Sequence, residues 1–204
     1  MRTGILGGTF DPIHIAHLHT AECALYQLDL DRVLILPAGD PWQKAGRFIS
    51  PAAERIEMCR LAVADVVEIT VDTREAVRDG PTFTVDTLAT FPSEEELFLI
   101  LGADAAAGLP TWHRWGDVVN RVTVAVAPRP GAPALPEGIP RVENVEMGLL
   151  EVSGTEIRER VRTGRPYRYL VTEPVHDYIE GRGLYAEPDE GDMVMGLNTL
   201  EDSP

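Results

Sequence analysis

The chain has 204 residues, 44% of them hydrophobic and 25% charged, with a formal net charge of −15 at pH 7. That length suits one domain with its own core, and the acidity argues against nucleic acid or an anionic membrane as the partner. No apolar run approaches the roughly 20 residues that span a bilayer, and no apolar signal region precedes Gly7-Gly8, so a cytoplasmic protein is expected. A phosphate-bearing ligand would need the 18 basic residues to be concentrated locally; all are arginine except Lys44.

The elements alternate. "TGILGG" is a first buried strand, and residues 15–28 form an amphipathic helix with Leu18, Ala21, Cys23, Leu25 and Leu28 on or near one face. "DRVLILPAG" is a second strand, and residues 51–65 a helix that Pro51 starts after Ser50. "VVEITVD" reads as a third strand, "FTVDTLATF" as a short helix and "ELFLILGAD" as a fourth strand. "WHRWGDVVN" is helical and "RVTVAVAPRPG" a fifth strand. A proline-rich loop at 131–140 follows, and "RVENVEM" is a candidate sixth strand. Residues 155–163 and "EPVHDYIEGRGLY" are the last helices, the second stopping at Gly181 or Gly183. Cys23 and Cys59 lie in helix-like patterns and are expected as reduced, buried thiols.

Continuous apolar strands separated by helices predict an α/β, doubly wound parallel sheet of five or six strands, with helices on both faces and a small C-terminal helical part. The domain is expected over residues 1–185. Residues 186–204 carry six acidic and no basic residues and read as a solvated, flexible tail. Ligands of such sheets bind outside the carboxyl ends of the strands. Four segments with chemistry fall there, at 7–17, 37–44, 102–104 and 128–131.

The first is "GGTFDPIHIAHLH". Gly7 and Gly8 let backbone approach a bulky anion without a Cβ in the way. Thr9 to Pro12 turn the chain into the helix, whose positive end favours phosphate. His14 and His17 are three apart and share a helix face, so both can donate to a phosphoryl group. His19 points elsewhere and reads as surface. A metal site needs three or four converging ligands, and Asp11 is the one carboxylate nearby, so no protein-held metal is expected. In "VSGTEIRERV", Ser153 and Thr155 can cap a helix, and Arg158 lies close to the same end, able to hold phosphate oxygens in a fork.

"GGTFDPIHIAHL" resembles the signature of the nucleotidyltransferase superfamily with an H-x-G-H element, Ala16 standing where glycine is usual. "VSGTEIRERV" resembles its second signature, with Gly154 in place of serine or alanine. "GPTFTVDTL", "ILGADAAAGLPTWHRW" and "APRPG" are similar to stretches of the bacterial nicotinate-nucleotide adenylyltransferases, and the resemblance runs over about residues 3–185. It implies a Rossmann-like fold and adenylyl transfer from ATP to nicotinate mononucleotide. On the ATP side it implies Gly7, Gly8, Thr9, Phe10, Arg129, Ser153 and Thr155, with His14, His17, Lys44 and Arg158 as the catalytic set. "PAGDPWQK" is similar to the family loop ending Pro-Pro-His-Lys, with Gln43 replacing the histidine. On the mononucleotide side it implies Phe83, Thr84, Asp104 and Trp112, while Trp115 reads as core. Mg2+ is expected to arrive with ATP. Another adenylyltransferase of the superfamily, using phosphopantetheine, is the alternative, and a non-catalytic nucleotide sensor a further one. The choice between nicotinate and nicotinamide mononucleotides, and any homo-oligomer, are left open.

Overall fold

The computed structural model describes residues 1–39, 49–78, 80, 82–129 and 131–186. Six parallel strands form one sheet in the order β3-β2-β1-β4-β5-β6. They are β1 (Arg2–Gly8), β2 (Arg32–Pro37), β3 (Ile69–Val71), β4 (Glu96–Gly102), β5 (Thr123–Ala127) and β6 (Val142–Asn144). Central strands of such a sheet are covered on both sides and need apolar residues at successive positions. Runs such as Val33–Leu36 and Leu97–Leu101 meet that need, every residue being buried.

The helices divide between the two faces. On one face lie α1 (Ile15–Gln27), α2 (Ala52–Ala62), α6 (Gly154–Arg162) and α7 (Glu173–Arg182), whose Ala21, Met58, Ile157 and Ile179 join Leu6, Val33 and Ile100 in one core. On the other lie α3 (Thr84–Leu88), α4 (Ala103–Ala107) and α5 (Trp115–Arg121), whose Leu88, Ala106 and Val118 pack on Ile5, Leu34 and Leu99. Each fully buried Leu or Ile contributes roughly 1.5–3 kcal/mol. The expected fold class is therefore the observed one.

Some boundaries differ from the sequence reading. The third strand begins at Ile69 because it pairs with β2 only over Ile69–Val71, and Val66 and Val67 are exposed in the turn before it. The helix expected from residue 112 begins at Trp115, since Arg114 takes a left-handed φ of 51° that interrupts any helix through Trp112. The last helix stops as expected, at Arg182, with Gly183 at φ 61° as its left-handed cap. Cys59 is buried and Cys23 half-buried, both as free thiols.

Strand order reverses about β1 and β4, so the crevice outside their carboxyl ends is the topological switch point. No helix of the described residues is long and apolar enough to cross a membrane.

Candidate active site

A cleft of about 730 Å3 opens at this switch point. Its floor is the end of β1 with the turn into α1, one wall is the ends of β4 and β5, and the other is the segment 147–152 running into α6.

The turn delivers His14 as the N-cap of α1, with extended backbone at φ −146°. Its ring is buried and stacks on His17, centroids 3.7 Å apart and planes 23° from parallel. The backbone N–H of His14 donates to His17 Nδ1 at 3.2 Å. In the neutral ring this makes Nε2 the protonated, donating nitrogen of His17. The Phe10 ring meets His17 edge-on at 4.9 Å, and Phe10 holds a φ of 51° to do so. Such a conformation costs a bulky residue energy and recurs at functional sites. Burial draws the His14 pKa down to about 4, so its imidazole is neutral at pH 7. Among the described residues its buried Nδ1 has no hydrogen-bond partner.

The two glycines of the turn have different reasons. A Cβ on Gly7 would meet nothing within 4 Å and Gly7 lines the cleft, whereas a Cβ on Gly8 would lie 2.9 Å from the Phe10 ring. Gly8 makes room for Phe10 and is absent from the cleft wall.

On the α6 side, Ser153 Oγ accepts from the Glu156 N–H at 3.1 Å, an ordinary N-cap. Arg158 donates from Nη1 to the Asp11 carbonyl at 2.6 Å and from Nη2 to Thr155 Oγ1 at 3.4 Å. Its guanidinium is thereby brought to the same turn as the histidines. Gly154 fits here because an added Cβ would stand 2.8 Å from the Asp11 carbonyl oxygen. Ser153, Thr155 and Arg158 all line the cleft, as do Thr9 and Phe10. Across it, Arg129 and Asp104 form an exposed ion pair at 2.6 Å. The sequence reading put these two on different substrates; they face the cleft as partners.

Phe83 and Trp112 do not line the cleft. Both are half-buried against the core beside it, and the Phe83 ring lies 4.5 Å from His113. Thr84 opens α3, and Trp115 packs on the same core. Lys44 and Gln43 lie outside the described residues. His19 sits away from the cleft, its ring 3.7 Å from Cys23 Sγ.

Three residues outside the expected site set carry weight here, Asp11, Tyr185 and Arg55. Asp11 accepts the Ser50 N–H at 3.1 Å and the Tyr185 hydroxyl at 2.6 Å. Its burial and these bonds tie the turn to the start of α2 and to the chain beyond α7. Burial and the Asp11 carboxylate hold the Tyr185 hydroxyl firmly protonated. Arg55, 1% exposed, donates to the carbonyls of Ser50, Thr9 and Gly39 at 2.8 to 3.0 Å. It thus fastens the end of β1, the end of β2 and the start of α2 to one another. Only "TFDP" offered a signal for Asp11, as the carboxylate nearest the histidines.

This fold with this switch-point turn defines a cytidylyltransferase-like protein, and the cytidylyltransferase-like family model matches residues 5–160. Among curated proteins, a "Probable nicotinate-nucleotide adenylyltransferase" of Roseiflexus sp. (strain RS-1) is 45% identical over 89% of this chain and 96% of its own length. One of the same name from Acidothermus cellulolyticus is 41% identical over 93% of this chain and 97% of its own. The chain belongs to the nicotinate-nucleotide adenylyltransferase family. Among solved structures, the Plasmodium falciparum nicotinic acid mononucleotide adenylyltransferase complexed with NaAD superposes with a TM-score of 0.77 at 18% identity, over 90% of this chain and 97% of that one. The same enzyme complexed with APC gives 0.75. At that identity the likeness speaks for the fold.

Proposed function

We infer that the chain transfers the adenylyl group of ATP to nicotinate mononucleotide, giving nicotinate adenine dinucleotide and pyrophosphate, a step of NAD biosynthesis. The observation that carries this reading is the stacked His14–His17 pair beside Arg158 at the switch point, in a chain 41–45% identical to proteins of that name.

The phosphate of the mononucleotide attacks the α-phosphorus of ATP in line and pyrophosphate leaves. No protein nucleophile is needed, so catalysis rests on positioning and on stabilising charge at the phosphoryl oxygens. His14, neutral at pH 7, and His17 supply donors at those oxygens. Arg158, with Thr155 and Ser153, holds the rest of the triphosphate near the start of α6, and Gly7, Thr9 and Phe10 shape the floor under it. Arg129 and Asp104 are set to meet phosphate and sugar hydroxyls respectively. Phe83, Thr84 and Trp112 form the apolar shelf for the pyridine ring beside the cleft. Lys44 is the remaining cation of the triphosphate side.

Magnesium arriving with ATP would neutralise charge on its phosphates. Among the described residues no cluster of three or more His, Cys, Asp or Glu is placed to hold a metal, and Asp11 accepts from Ser50 and Tyr185. Steady-state rates with ATP and each of nicotinate mononucleotide, nicotinamide mononucleotide and phosphopantetheine test the reading. The first acceptor is expected to give the highest kcat/KM, and preference for phosphopantetheine would overturn it.

A further inference from the structure

A buried carboxylate lies behind the shelf that carries Phe83 and takes no part in the chemistry above. Glu75 is 9% exposed, and one of its carboxylate oxygens accepts the Thr87 hydroxyl at 2.7 Å. Thr87, 1% exposed, lies on α3 and donates its backbone N–H to the Phe83 carbonyl at 3.2 Å. Two bonds therefore connect Glu75 to the backbone of Phe83.

The other end of this connection is anchored on the sheet. The Glu75 carbonyl packs so closely on the end of β2 that a Cβ on Gly39 would stand 2.4 Å from it. Gly39 is in turn held by Arg55 Nη2 at 3.0 Å. The neighbouring Arg74 adds a second tie to the same region, donating to Thr90 Oγ1 at 2.5 Å and lying 4.1 Å above the Phe91 ring. A helix of five residues such as α3 has little stability of its own. Its orientation is set by what is packed and bonded behind it.

Resting on the mononucleotide assignment of Phe83 above, we propose that Glu75 is a positioning residue for the acceptor substrate: through Thr87 it fixes α3 so that Phe83 and Thr84 face the pyridine ring. It touches neither substrate. Its side chain's removal releases the acceptor shelf and leaves the His14–His17–Arg158 side in place, because among the described residues its carboxylate bonds to Thr87, while the packing on Gly39 is made by its backbone carbonyl, which the substitution keeps.

The test is steady-state kinetics on Glu75→Ala, Glu75→Gln, Thr87→Ala and Thr87→Ser. A lost buried hydrogen bond that acts on one substrate only is expected to raise KM for nicotinate mononucleotide by about tenfold, with KM for ATP within about twofold of the parent. Glu75→Gln keeps an oxygen that accepts from Thr87, and Thr87→Ser keeps the donating hydroxyl, so both conservative variants are expected to recover most of the loss. Where Glu75→Ala yields no folded protein, the two Thr87 variants read the same bond from the helix side. Equal rises in both KM values, or no recovery in the conservative variants, would overturn the proposal. Phe83→Ala separates the two levels. If it leaves KM for the mononucleotide unchanged, the shelf assignment itself fails; if it raises KM while Glu75→Ala and Thr87→Ala do not, only the positioning role fails.

Discussion

His14 and His17 stack face to face at 3.7 Å, with the backbone N–H of His14 bonded to the ring of His17. The bond fixes the tautomer of His17 and aims its Nε2–H, so the pair is built before any substrate arrives. Removing one preorganised donor from a developing phosphoryl charge typically costs about 10²–10³-fold in kcat. His17→Ala and His14→Ala are each expected to fall in that range, with circular dichroism unchanged for His17→Ala. Pyrophosphate release within a few-fold of the parent would remove the assigned role.

The burial of His14 has a consequence for stability. Its unfolded value is 6.5 and its folded value about 4. Between these pH values the unfolded chain takes up a proton that the folded chain refuses, so stability rises with pH across the window. The contribution is fully present above about pH 6.5 and is lost as pH falls toward 4. The span corresponds to a loss on the order of 3 kcal/mol at the acid end. Urea denaturation at pH 7, 6, 5 and 4 is expected to show a steeper decline for the parent than for His14→Gln. Equal slopes would count against the burial argument.

Gly154 and the Asp11 carbonyl approach as closely as a glycine permits, with Arg158 bonded to the same oxygen. The neighbour of an added methyl is backbone, which cannot step aside cheaply. Gly154→Ala is expected to cost about 1–3 kcal/mol in urea denaturation and to raise KM for ATP by moving Arg158. Ser153→Ala, which removes only the cap, is expected to cost about 1 kcal/mol.

Arg129 and Asp104 pair at 2.6 Å with both side chains more than half exposed. Pairs of that kind contribute roughly 0–1 kcal/mol. Arg129→Ala is therefore expected to leave the urea midpoint almost unchanged while raising KM. A large loss of stability with normal KM would make the pair structural.

The parts of this site that could be read in the sequence are those whose partners lie nearby in the chain. His14 and His17 are one helical step apart, and Ser153 caps the helix on which Arg158 lies one turn in. The helix-covered parallel sheet followed from apolar runs alternating with helices, whereas the order β3-β2-β1-β4-β5-β6 rests on pairings between distant strands that leave no local pattern. Arg55 was invisible because its partners are three backbone carbonyls from separate segments, and carbonyls leave no residue pattern. Gly154 stood out as a departure from the family signature, yet its reason lies in Asp11, 143 positions earlier. Glu75 and Thr87 are joined only once the chain has folded back on β2. The interruption at Arg114 depends on a left-handed φ that arginine rarely adopts, which helical periodicity does not reveal.

Adenylyl transfer to nicotinate mononucleotide is tested most directly by incubating the full chain with ATP, Mg2+ and nicotinate mononucleotide and identifying the product by mass while measuring pyrophosphate. The expected result is nicotinate adenine dinucleotide formed one-to-one with pyrophosphate, with the rate in His17→Ala lower by about 10²–10³-fold. ATP binding without any dinucleotide, or an undiminished rate in His17→Ala, would contradict it.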